Sequence, residues 1–450
     1  MSVKPTGTMP RRVLILGAAG RDFHVFNTVY RGDAGARIVA FTAAQIPGVA
    51  GRRYPAALAG PGYPMGIAIR DENELDTILA QESIDEVVFA YSDVTHAQVM
   101  HLASRALAGG ADFRLFGPRA TMLPARCPVI AVSAVRTGCG KSQIARYLSQ
   151  YLRAQGRRVA ALRHPMPYGD LLAERVQRFA RIEDLDAAHC TIEEREEYEP
   201  HVAAGNVVFA GVDYQAILAR AEAEADIIVW DGGNNDFPFL VPDLHIVVVD
   251  ALRPTQLDTH HPGEAVLRMA DIVVINKVDA ASQAAIGTAI DGIEQINPNA
   301  TILRAASPVR LDDPARVTGK RVIVVDDGPT LTHGDMPFGA AYVAAEQAGA
   351  AAIVDPRSAA APEIAAVFAR YPHLGKVLPA VGYGAAQLAA LEATLVRADA
   401  DVIVSGTPID FARLIKTNKP IVRARYGFAD AGEPTLALLV DAFLTRNTKR

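Results

Sequence analysis

Short apolar runs rich in valine and isoleucine recur along the chain at 12–16, 37–41, 86–90, 112–116, 129–132, 158–162, 226–231, 244–250, 271–276, 320–325 and 402–405. Most are continuous, without the polar alternation of a half-exposed strand, so they read as strands covered on both faces. Between them lie segments such as 72–81, 96–108 and 143–152, whose apolar residues fall three or four apart, the period of a helix packed on one side. Strands alternating with helices imply parallel sheets with helices on both faces, so the fold class is α/β with three-layer parallel-sheet domains. The proline-rich segment 118–128 reads as a linker.

One run leads directly into chemistry. After 129–132 come Val135, Arg136, Thr137, Gly138, Cys139, Gly140, Lys141 and Ser142, and then a helical stretch. Strand, glycine turn and helix in this order form a phosphate-binding loop, in which backbone N–H groups close on an anion at a helix start. Lys141 would reach the outer phosphates, Ser142 would hold Mg²⁺, and Gln143 opens the helix beside the nucleotide. Where the usual first glycine stands, this chain has Val135. The segment fits instead the variant loop Lys-Gly-Gly-x-Gly-Lys-Ser/Thr, with Arg136 in place of the first lysine. In the variant loop that lysine crosses a dimer interface, so a homodimer is expected, with Arg136 stabilising charge on the nucleotide.

Two later strand ends complete a nucleotide site. The run 226–231 ends at Asp231 followed by two glycines, where an NTPase keeps the carboxylate associated with Mg²⁺. The run 271–276 passes into Asn276, Lys277, Val278 and Asp279, matching the N-K-x-D base-recognition motif of GTPases. Lys141, Arg136 and Asp231 are therefore the catalytic candidates. Gly138, Cys139, Gly140, Lys141, Ser142, Gln143, Asn276, Lys277 and Asp279 are the nucleotide-binding ones, and Ser142 and Asp231 are the metal candidates. This divides the chain into a Rossmann-like N-terminal domain (1–125), a central P-loop NTPase domain (126–318) and an α/β C-terminal domain (319–450).

Composition narrows the alternatives. With 450 residues and half of them hydrophobic, the chain can fill several cores. A net charge of −5 without a long basic run gives no reason to expect a nucleic acid. No apolar run approaches the roughly 20 residues that span a bilayer, and the first ten residues lack the apolar core of a signal peptide and read as disordered. Cys127, Cys139 and Cys190 are too far apart for a C-x-x-C site, so the cytoplasm is the expected compartment. The N-terminal turn Gly17-Ala18-Ala19-Gly20 departs from G-x-G-x-x-G, and no acid ends the second strand, which argues against NAD. The acidic run 193–199 reads as a solvated helix face without a role. Cations at strand ends and loops, namely Arg21, His24, Arg163, His164, Arg253, His261, His333 and Arg423, are candidates for an anionic substrate.

Taken in order, the segments 17–24, 136–142, 163–170, 231–236, 261–264, 276–279 and 326–334 resemble the cyclic 2,3-diphosphoglycerate synthetase family over nearly the whole chain. The resemblance implies an ATP- and Mg²⁺-dependent reaction in which 2,3-diphosphoglycerate closes an intramolecular phosphoanhydride, releasing ADP and phosphate. It favours ATP, whereas N-K-x-D taken alone favours GTP. The alternative from a different class is a regulatory GTPase or metallochaperone-like NTPase acting on a protein partner.

Overall fold

The computed structural model describes residues 9–44, 48–164, 166, 169–332, 334–380 and 385–447. The expectation of disorder at the N-terminus and the candidate His333 fall largely or wholly outside them. Among the described residues no helix is long and apolar enough to cross a membrane.

Three large sheets organise the described residues. The central one runs, across the sheet, Gln177–Phe179, Val207–Ala210, Val159–Arg163, Ile227–Asp231, Val129–Ala134, Leu244–Asp250, Ile272–Asn276, Thr301–Ala306 and Ala429–Asp430. Only the two edge strands are antiparallel to their neighbours. Val129–Ala134 and its neighbours Ile227–Asp231 and Leu244–Asp250 are buried from end to end, as unbroken apolar runs require when helices cover both faces. The N-terminal sheet, in the order Arg53–Tyr54, Ile67–Asp71, Ala36–Ala43, Arg11–Leu16, Glu86–Phe89 and Asp112–Leu115, likewise has cores on both faces. After the glycine turn at 17–20 the chain is α-helical over Arg21–Val25 and widens into a π turn over Phe26–Tyr30.

The third sheet does not begin where the sequence divides the chain. Val309–Leu311 pairs antiparallel with Ile421–Tyr426, which continues through Val402–Ser405 to Arg321–Asp327, so the chain enters this sheet before 318. It also leaves early. Ala429–Asp430 extends the central sheet, and the helix Leu436–Asn447 places Leu436, Val440 and Phe443 in the central core. Each such side chain contributes about 1.5–3 kcal/mol by burial, which keeps the last segment on the central domain.

The N-terminal and central domains are joined through buried polar groups. Arg21 pairs with Asp236 at 3.0 Å and lies over the Phe237 ring, while His24 stacks flat on Phe239 with centroids 4.1 Å apart. Burial, aided by the nearby Arg21 charge, lowers the His24 pKa from 6.5 to about 3. The folded protein therefore keeps this ring neutral at pH values where the unfolded chain protonates it. Stability from this group is full above about 6.5 and falls by up to about 1.4 kcal/mol per pH unit as pH drops towards 3. His24→Phe preserves the stack and removes the proton, so between pH 4 and 6 its denaturation free energy should decline less steeply by about that slope. Parallel curves for the two proteins would refute the assignment.

Candidate active site

Gly138 and Gly140 adopt φ of +82° and +98°, and the helix Lys141–Ala154 starts directly after them. A side chain at Gly140 would place its Cβ 2.2 Å from Asn276 Nδ2, so the close approach of these two segments requires glycine here. Asn276 Nδ2 donates to the Cys139 carbonyl at 2.8 Å, and Lys277 Nζ donates to Gly138 O and Asp250 Oδ2, both at 2.7 Å. Two residues of the N-K-x-D segment thus fix the loop itself. Asp279 lies farther out, accepting from Ser307 N at 3.0 Å, and Ser307 Oγ reaches Gln143 Oε1 at 3.1 Å.

Behind the loop, Asp231 is fully buried. Lys141 Nζ lies 3.2 Å from Oδ1, Arg163 forms an ion pair with Oδ2, and His201 Nε2 is 3.0 Å from Oδ2. Burial alone would raise the Asp231 pKa, but the Arg163 and Lys141 charges and the His201 hydrogen bond outweigh it and hold the carboxyl well below its usual range. The same burial lowers the Lys141 ammonium to about 8, with Asp231 countering part of the shift. It also lowers His201, whose neutral ring can donate from Nε2 while Nδ1 accepts from Asn206 Nδ2 at 3.2 Å. Ser142 Oγ lies 3.4 Å from Asp231 Oδ1. A hydroxyl and a carboxylate so placed could hold a Mg²⁺ whose other ligands are phosphates and water, as this ion prefers. Among the described residues no group of three or more His, Cys, Asp or Glu could hold a metal without such help.

The acidic run is not solvated. Glu193, Glu194, Glu196 and Glu199 are buried on the helix Ile192–Ala203, which lies between the central and C-terminal domains. Glu199 Oε1 accepts from Asp410 N at 2.7 Å, Glu197 forms an ion pair with Arg163, and Glu194 accepts from Thr191 N at 2.7 Å in a capping box. Burial and the neighbouring Asp327 push Glu196 well above the carboxylate range. His201, the far end of this helix and Arg163 converge on Asp231, a constellation the sequence reading missed. Thr191, Glu194 and the Arg195–Glu199 pair, at 3.3 Å, were its local signal.

A cavity of about 310 Å³ opens in front of the loop. It is lined by the loop and Gln143, by Asp279 and Ser307, and from the C-terminal domain by Asp326, Asp327, Thr330 and Tyr426. Gln143 Nε2 is buried there without a hydrogen-bond partner, an orphaned donor that a nucleotide could satisfy. An Asp279→Ala variant should bind ATP at least ~10-fold more weakly if this carboxylate meets the base, in keeping with a lost charged hydrogen bond. Unchanged affinity for both ATP and GTP would remove Asp279 from the site.

The expected substrate cations do not converge here. Arg21 and His24 are committed to the N-terminal interface, and His261 sits in a strand pairing with Val94, its ring near Phe89 and its pKa lowered by burial to about 4. Arg253 ties Asp250, Thr137 O and Gly334 O together, with Gly334 O at 2.7 Å. His164, lowered to about 3 by burial and by the Arg163 charge, packs its ring against Gly233. Arg423 lies in a separate cavity, donating to Pro408 O. Of this set Arg253 braces the loop through Thr137 O at 2.8 Å, and Arg163 reaches its far end, 3.3 Å from Ser142 Oγ. Arg136 also departs from expectation. It is 1% exposed and held within its own chain by Asp93 at 2.7 Å, Asp335 at 3.0 Å and Gln256, so it does not project towards a partner subunit.

Fold and site together define a nucleotide-binding protein of the P-loop class. The chain belongs to the family of the Thermococcus kodakarensis protein named arginine synthetase ArcE, with which it is 57% identical over 426 residues, 95% of each chain. Residues 200–306 match the family model described as the P-loop domain of cyclic 2,3-diphosphoglycerate synthetase. A Thermococcus sibiricus protein named cyclic 2,3-diphosphoglycerate synthetase is 30% identical over 122 residues, 27% of each chain. The resemblance read from motifs over nearly the whole chain is thus shared between two names, and the whole-length relative carries the other one. The solved structure of Aquifex aeolicus LpxK with ATP aligns with 72% of this chain and 90% of its own, at 14% identity and a TM-score of 0.41.

Proposed function

We propose that this protein is an ATP-dependent synthetase that forms arginine from citrulline and ammonia. Its relationship to arginine synthetase ArcE along 95% of both chains carries this reading. Arginine differs from its ureido analogue citrulline by one nitrogen in place of one oxygen, and that oxygen leaves readily once it is phosphorylated. In the proposed reaction the γ-phosphoryl group passes to the ureido oxygen as its bond to ADP breaks. Ammonia then adds to the carbon, and phosphate departs with the C–O electron pair. Lys141 and the amides of the loop would hold the phosphates, and Ser142 and Asp231 would hold Mg²⁺, which offsets charge on the transferring group.

The cleft is of mixed charge, with Glu197, Asp279, Asp326 and Asp327 lining it beside Arg136, Lys141, Arg146 and Lys277, which suits a zwitterionic amino acid, while the cations expected for a phosphorylated acid are mostly engaged elsewhere. The second reading, closure of a phosphoanhydride in 2,3-diphosphoglycerate, is favoured by the match of residues 200–306. The two are separated by measuring ADP release with Mg²⁺–ATP. Citrulline and ammonium together should stimulate it at least ~10-fold, and stimulation by 2,3-diphosphoglycerate instead would overturn the proposal.

A further inference from the structure

Most cations around the cleft are already claimed. Lys141 and Arg163 are held by Asp231, and Lys277 and Arg253 by Asp250. Arg146 differs. It lies on the same helix as Lys141, one turn beyond Ser142, and its side chain lines the cleft. Among the described residues its guanidinium has no hydrogen-bond or ion-pair partner. Burial lowers its pKa, and Tyr426, at the end of the strand Ile421–Tyr426, lines the same cleft. The Tyr426 hydroxyl also has no partner among the described residues, and burial raises its pKa, so it remains a donor.

A guanidinium fork and an O–H donor lining one cleft make an oxyanion site. Asp327 also lines this cleft and acts on Tyr426, and the buried Glu196 behind it is pushed well above the carboxylate range, so the negative charge there sits on Asp327. A carboxylate facing the same cleft as a guanidinium suits a zwitterion. We infer that Arg146 and Tyr426 hold the α-carboxylate of an amino-acid substrate, and that Asp327, backed by Glu196, holds its α-ammonium. This rests on the amino-acid reading above and gives that substrate an orientation, with its head group in the seam between the central and C-terminal domains and its side chain free to reach the phosphate loop.

Calorimetry with Mg²⁺ and a non-hydrolysable ATP analogue tests it, using L-arginine and agmatine, the same molecule without its carboxylate. The wild type should bind arginine at least ~30-fold more tightly than agmatine, the margin expected of a charge-assisted contact. Arg146→Ala should weaken arginine by about that factor and leave agmatine within ~3-fold, which also shows that the variant is folded. Tyr426→Phe should weaken arginine by roughly 3–10-fold. Arg146→Lys, which keeps the charge without the fork, should fall between and serves if the alanine variant does not fold. Arginine bound by the wild type and retained by Arg146→Ala would overturn this inference alone. A wild type that binds 2,3-diphosphoglycerate and neither amine would overturn the substrate reading and this inference with it.

Discussion

Lys141→Ala is expected to lower nucleotide turnover at least ~10³-fold while leaving the fold intact, because a buried cation aimed at transferring phosphoryl charge is among the largest single contributions to such a reaction. The ammonium is 3.2 Å from Asp231 and beside the loop, so a short side-chain movement brings it to a phosphate. The fold should survive, since Asp231 keeps Arg163 and His201 when Lys141 is lost. Asp231→Asn should reduce turnover comparably. Asp231→Ala is a harsher change: it takes the buried carboxylate from both Lys141 and Arg163, leaving Arg163 to the partly exposed Glu197, which costs up to about 3–5 kcal/mol. For a domain of this size that amounts to a melting temperature lower by roughly 10 °C. ADP release and calorimetric melting separate the two effects. Turnover within tenfold of wild type in Lys141→Ala would remove it from the chemistry.

Strands and the phosphate loop were legible in the sequence because local pattern determines them. An unbroken apolar run such as 244–250 has few alternatives to a buried strand, and glycines before Lys141-Ser142 at a strand end have few alternatives to an anion-binding turn. What depended on partners distant in sequence was not legible. The acidic run 193–199 has the composition of a solvated face, and only the arrival of Arg163, of Asp410 N and of the C-terminal sheet makes it a buried one. Arg21, His24 and His261 have the chemistry to bind phosphate, yet Asp236, Phe239 and Phe89 on other elements occupy them. Val309–Leu311 is too short and too exposed to announce a strand, so the entry into the third sheet was hidden. Charge and periodicity report what a residue can do, and tertiary contacts decide what is left for it to do.

Arg136→Ala is expected to cost stability first and turnover as a consequence. Arg136 and Asp93 are each 1% exposed and paired at 2.7 Å, so alanine would leave a buried carboxylate whose remaining support includes Thr137 N at 3.0 Å. Breaking such a pair costs about 3–5 kcal/mol, which again lowers the melting temperature by roughly 10 °C. Replacing both partners, Asp93→Asn with Arg136→Gln, should recover most of that loss, because the penalty lies in the unpaired charge. Asp93 also anchors Thr137 N, so the loop should shift in the alanine variant and turnover should fall at least ~10²-fold where the protein is still folded. An arginine reaching into a partner's site makes the opposite set of predictions. Stability would be normal, the double replacement would be as inactive as the single one, and mixing Arg136→Ala with Lys141→Ala protomers would regenerate one intact site per dimer. We expect the mixture to show no more activity than its two components measured separately. Unchanged melting together with rescue in mixed dimers would restore the interfacial role of Arg136 and the homodimer that it requires.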